Sequence, residues 1–83
     1  MVFTVAVLFR GQFAYYKVYE QGERYHAGLV RYNGKGERPP RRIAFQKQGR
    51  HCTGTADVAL MNDLWDAVHQ TKKGGGLLVV LNP

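Results

Sequence analysis

"VFTVAVLFRGQFAYYKVYE", residues 2 to 20, decides the fold. Its two halves are rich in Val, Phe and Tyr, which suit a half-buried pleated surface, and Arg10, Gly11 and Gln12 interrupt them. With Gly11-Gln12 as a two-residue connection, glycine stands first, as a type II′ turn wants, and residues 2–10 and 13–20 are predicted to form an antiparallel hairpin. That pairing sets Arg10 opposite Phe13, Leu8 opposite Tyr15 and Ala6 opposite Lys17, and opposed residues share a face. The other face gathers Phe3, Val5, Val7, Phe9, Ala14, Tyr16 and Val18. Being the more apolar, it is the face that must be covered.

Working outward, Gln21-Gly22 reads as a second turn into "RYHAGLVRY", 24–32. Alternation there puts Tyr25, Ala27 and Leu29 on the covered side and Arg24, His26, Gly28, Val30 and Tyr32 on the other; a one-residue slip would bury His26 and Gly28 instead. Pro39 and Pro40 have no N–H to give a ladder, so pairing resumes near Arg41 or Arg42 and a fourth strand is expected over about 41–48, with Ile43 and Phe45 inward and Arg42, Ala44 and Gln46 outward. "GRHCTG", 49–54, reads as turn punctuation.

From Ala56 the period changes. Val58, Met61, Leu64, Trp65 and Val68 fall in one helical arc, with Asn62, Asp63, Asp66 and Gln70 opposite. Thr55 is the expected N-cap, Asp57 suits the first turn, and Lys72, Lys73 and Gly74 suit the end. "LLVVL", 77–81, is expected to add a short apolar strand. The predicted fold is α+β: a single antiparallel sheet of four to five strands with one amphipathic helix packed on one face, in the order β-β-β-β-α-β, as one domain spanning 1–83.

Size and composition agree with one packed unit. Splitting 83 residues would leave halves too small to bury a core, and 45% apolar with 12% aromatic residues argues against wholesale disorder. Twelve Lys and Arg against six Asp and Glu give a formal charge of +6, which suits a polyanionic partner. A single cysteine, Cys52, excludes an internal disulfide framework and fits a reducing, cytoplasmic setting, although it also permits a bridged dimer. The first apolar run has no basic residues before it, stops at Arg10 and has no small-residue cleavage site after it, so it is read as a strand rather than a signal peptide. No stretch approaches the roughly 18 apolar residues that span a bilayer, and no membrane association is expected.

The uncovered face carries Arg10, Phe13, Tyr15, Lys17, Tyr19, Arg24, His26, Tyr32 and Arg42, and "ERPPRRIAFQKQGR", 37–50, adds a basic rim of Arg38, Arg41 and Arg42 beside Lys35. Cationic groups track phosphates while flat rings stack on unpaired bases at about 1–3 kcal/mol each. Arg10, Phe13, Tyr15, Lys17, Tyr19, Arg24, Tyr32, Arg38, Arg41 and Arg42 are therefore the expected binding residues, with Asp63 and Asp66 away on the helix's solvent side. The ordinary alternatives are a solvated strand surface, since Tyr favours strands anyway, and an edge protected from pairing by its prolines and charges.

Chemistry beyond binding finds little footing. Gly34-Lys35-Gly36 lacks the strand-to-helix setting of a phosphate loop, and no third residue orients Cys52 with His51. His26, His51, Cys52 and His69 lack paired metal-ligand spacing. A ribonuclease would draw its base and acid from the three histidines and a cation from Arg24, Arg31 or Arg42, but no spacing selects among them. The expectation is a small basic non-enzymatic module, without metal or cofactor, that binds single-stranded RNA or DNA. The alternatives are a protein-interaction or homodimerisation domain using the same face and, third, a small ribonuclease.

Overall fold

The first hairpin closes on Arg10 and Gly11, both at positive φ (50° and 81°), in the computed structural model, which describes residues 1–74. Positive φ at both central positions is the type I′ form, whose twist matches that of the strands, so the turn uses Arg10-Gly11 rather than the type II′ Gly11-Gln12 expected from the sequence. Strands β1 (Val2–Phe9) and β2 (Gln12–Gln21) then pair Leu8 with Phe13, Ala6 with Tyr15 and Thr4 with Lys17. This register differs by two residues from the expected one. Because side chains alternate with period two, every strand residue keeps its predicted face, but Arg10 leaves the sheet for the turn.

The second turn, Gly22-Glu23, has positive φ at Gly22 alone (60°), the type II′ pattern, and leads into β3 (Arg24–Tyr32). Pairing runs evenly from Gln21 opposite Arg24 to Tyr16 opposite Leu29, then slips by one, so that Tyr15 faces Arg31 and Ala14 faces Tyr32. Val30 is the extra residue of this β-bulge, and it is exposed. Unbroken alternation would have turned Arg31 inward and Tyr32 outward. The bulge exchanges them, sparing the burial of a guanidinium and gaining that of a ring. Tyr32, expected on the open face, is thus a core residue: it is buried, meets Phe9 edge-on at 5.8 Å, and donates its hydroxyl to the Phe9 carbonyl at 3.2 Å.

Strand β4 (Arg42–Gln48) pairs with β3, and β5 (His51–Gly54) pairs with β4 across Gly49 and Arg50. The stretch read as turn punctuation therefore holds the fifth strand, while the strand expected at 77–81 lies outside the described residues. The architecture is α+β: one antiparallel sheet in the order β1-β2-β3-β4-β5 with helix α1 (Val58–Gly74) against it.

Asp57, not Thr55, caps that helix, its Oδ2 accepting from the Ala59 N–H at 3.1 Å. Thr55 instead continues the sheet, exchanging bonds with the Ala44 N–H and C=O at 3.1 and 3.0 Å. The buried arc is Leu60, Met61, Leu64, Ala67, Val68 and Thr71, so Val58 is exposed and Trp65 lies at the rim. Each large apolar side chain buried there is worth about 1.5–3 kcal/mol. The facing core is Phe3, Val5, Val7, Tyr16, Val18, Tyr25, Ile43 and Phe45.

Tyr16 is fully buried and donates to the Pro40 carbonyl at 2.7 Å, tying the loop before β4 to the sheet. Helix α1 lies closest to the two edge strands, β1 and β5, which means the sheet curls around it. The opposite face is convex, and among the described residues no element covers it. No helix among the described residues is long and apolar enough to cross a membrane.

Candidate functional site

Strand register alone lays out the convex face as cross-strand rows. Leu8 lies beside Phe13; Ala6, Tyr15 and Arg31 form the next row, followed by Thr4, Lys17, Gly28 and Arg42, then Val2, Tyr19, His26 and Ala44, then Gln21, Arg24, Gln46 and Thr53. Rings and cations interleave along it. Tyr19 is 47% exposed and Phe13 37%, Tyr15 is half-buried, and Lys17, Arg24, Arg31 and Arg42 are exposed. The Arg31 guanidinium stands 5.2 Å from the Tyr15 ring centre, and the Phe13 and Tyr15 rings lie 6.4 Å apart. Among the described residues no carboxylate takes a strand position on this face: Glu20 points to the helix side, Glu23 sits in the turn, Glu37 in the loop, and Asp57, Asp63 and Asp66 belong to the helix.

Six of the residues expected from the sequence come together here: Phe13, Tyr15, Lys17, Tyr19, Arg24 and Arg42. Arg41 is at the margin, lining a surface hollow with Gly28, Leu29 and Arg42. The structure separates the other three. Arg10 is held at the hairpin tip by an exposed ion pair with Glu37 at 2.8 Å. Arg38 lies over the Tyr32 ring at 5.8 Å and shares a cleft with Leu60 and Asp63 of the helix. Tyr32 is inside. Sequence reading missed Arg31 as a face residue. The signal was present, because alternation carried through to residue 32 demands a buried arginine, which a bulge relieves.

Besides the hollow at Arg41, two more indent the face where its side chains are shortest. The larger, about 550 Å³, is lined by Tyr19, His26, Gly28, Arg42, Ala44 and Thr55, among others. The smaller, about 270 Å³, adjoins it and adds Arg24, Gln46, Thr53 and Gly54. His26, Ala44 and Thr55 line both, which makes them one shallow trough across β3 and β4.

The concave side carries a polar cluster of a different character. Trp65 stacks on His69 at 3.6 Å and lies under the Lys47 ammonium at 4.1 Å. Glu20 accepts from Lys72 at 2.5 Å and from the Tyr25 hydroxyl at 3.0 Å. The Lys72 bond, then Tyr25's, holds the Glu20 carboxyl below the usual carboxylate range despite its desolvation. Burial, reinforced by Glu20, pushes the Tyr25 phenol up to about 12, and burial alone does the same for Tyr16. These bonds pin the end of α1 to β2, a fastening rather than a reactive centre.

Adjacent strand residues point opposite ways, so Cys52 is buried toward the helix while His51 faces outward. Burial pushes the Cys52 thiol up, away from the thiolate. His26 and His51 share the open face but stand two strands and four residues apart, on the order of 15 Å, and His69 lies on the other side of the sheet. Among the described residues no group of three or more His, Cys, Asp and Glu is placed to hold a metal ion. No family model, no curated protein and no solved structure matches the chain.

Proposed function

We propose that this chain is a small non-enzymatic module that binds single-stranded nucleic acid on its convex sheet face. The observation that carries the reading is the interleaving of exposed rings with Lys17, Arg24, Arg31 and Arg42 on one face without a carboxylate among its strand positions. Cations at strand spacing follow a phosphate chain, and the phenol rings offer every base a π-face to stack on, so such a surface favours unpaired strands over duplex and discriminates weakly among sequences. The overall charge of +6 draws a polyanion, and the single, buried cysteine fits a reducing cytoplasmic setting.

Fluorescence anisotropy with labelled oligothymidine and oligouridine tests it. Binding is expected, and Tyr19→Ala, which removes a half-exposed ring, is expected to weaken it about tenfold with the fold intact by circular dichroism. No binding at low salt sinks the proposal. So does a stable homodimer by light scattering in which Phe13, Tyr15 and Tyr19 become inaccessible, since the face would then serve a second copy of the chain.

A further inference from the structure

Gly28 sits in the middle of β3, where glycine is the poorest choice for a strand. Among the described residues neither a left-handed backbone nor a steric clash asks for it. Its φ lies outside the left-handed region, and a Cβ added there would meet no atom of the described residues within 4 Å. Glycine in a strand interior often marks a bulge or a place where something outside the chain approaches the backbone closely. The bulge of β3 is at Val30, two residues on, and Gly28 itself pairs regularly with Lys17 and Arg42, which leaves the close approach.

What surrounds that bare backbone defines the visitor. In its own row Gly28 is flanked by Lys17 on β2 and Arg42 on β4, each one strand spacing away, about 4.8 Å. In the next row Tyr19, His26 and Ala44 stand in the same order, and Ala44 keeps the floor low beside the glycine. The hollow of about 550 Å³ is thus lined by the short residues Gly28 and Ala44 together with Tyr19, His26 and Arg42. A flat, apolar-faced plate bearing negative charge on either side fits this arrangement.

We infer that the Gly28 hollow seats one unpaired nucleobase, laid on the bare backbone against Tyr19, with the phosphates before and after it held by Lys17 and Arg42. The inference rests on the proposed nucleic-acid face and assigns it a defined seat. The adjoining hollow carries Gln46 and Thr53, two rows along from Gly28, whose amide and hydroxyl are available to a neighbouring base rather than to the seated one. Between these rows the strand is gripped base and backbone together, rather than by charge alone.

Gly28→Val is the decisive variant. Its side chain enters open space and raises strand propensity, so the thermal midpoint is expected at or above the parent's, and Gly28→Ala provides a smaller filling of the same hollow. Against labelled oligothymidine and oligouridine, Gly28→Val is expected to weaken binding about tenfold and Gly28→Ala less, with the salt dependence unchanged because both cations remain. Against an abasic phosphodiester strand of the same length, parent and variant are expected to bind alike. If Gly28→Val binds within about twofold of the parent while Arg42→Ala weakens binding, the seat is wrong and the face stands. Equal weakening on the abasic strand also overturns the seat, since only phosphates would then be displaced. Failure of the parent to bind any of the three strands overturns the face and the seat together.

Discussion

Salt dependence gives the open face its sharpest test, because its magnitude follows from a count of cations. Four of them, Lys17, Arg24, Arg31 and Arg42, take strand positions on the convex face. Each phosphate neutralised on a single strand contributes about −0.7 to the slope of log affinity against log salt, so four give about −2.8. Raising salt from about 50 to 200 mM should then weaken binding about 50-fold. Arg42→Ala removes one contact, flattening the slope to about −2.1 and the loss to about 20-fold. Arg42 is exposed and its truncation should cost within about 0.5 kcal/mol of stability, which a denaturant titration verifies. Arg38→Ala is the matched control: that side chain lies over Tyr32 by the helix, so its loss should leave the slope alone. Anisotropy titrations over that salt range measure all three proteins. A slope flatter than about −1, or one that Arg38→Ala flattens as much as Arg42→Ala, would refute the assignment of the phosphate path to this face.

Two further predictions concern the fold that presents the face. Arg10 is held at φ 50° in the type I′ turn, a conformation asparagine adopts far more readily, so Arg10→Asn should stabilise the protein by up to about 1 kcal/mol even though it removes an exposed ion pair with Glu37; an unchanged or lowered denaturation midpoint would contradict the turn assignment. In alkali, Tyr16 and Tyr25 titrate near 12 in the folded protein against an ordinary value near 10, so the stability they contribute is complete below pH 10 and is lost as pH rises through about 12. Tyr25→Phe should make stability fall less steeply over that interval, and an identical pH profile for the variant would show that Tyr25 is not shielded by Glu20 and the helix end.

The outcome at residues 2–20 shows what a hydrophobic pattern encodes. Phe3, Val5, Val7, Ala14, Tyr16 and Val18 line the core as their spacing demands, although the pairing beneath them runs two residues from the expected register. Period two fixes parity, and both registers have the same parity. Lys17, Tyr19, Arg24 and Arg42 were legible as face residues for the same reason. Alternation assigns Arg31 and Tyr32 to the wrong faces: it signals a conflict there, since it buries an arginine, but the bulge that reverses parity and resolves it is placed only by the pairing of the whole sheet. Gly28 was visible as an outward position, but its significance was not: only the packed structure shows that a side chain there would have met none of the described residues.

By itself, then, the sequence determined the α+β class, the covered face of the first hairpin and the existence of the helix, all of which rest on periodicity over short spans. The tertiary structure alone decided the turn residues, the bulge at Val30, the helix cap at Asp57 and the fifth strand. Strand β5 has four residues, only one of which, Cys52, is buried, too short a run for alternation to register. It holds its place through partners remote in sequence: Phe45, Gln46, Lys47 and Gln48 on β4, and Asn62 of the helix, whose side-chain carbonyl accepts the Cys52 N–H at 3.0 Å. Those bonds exist only once sheet and helix have met.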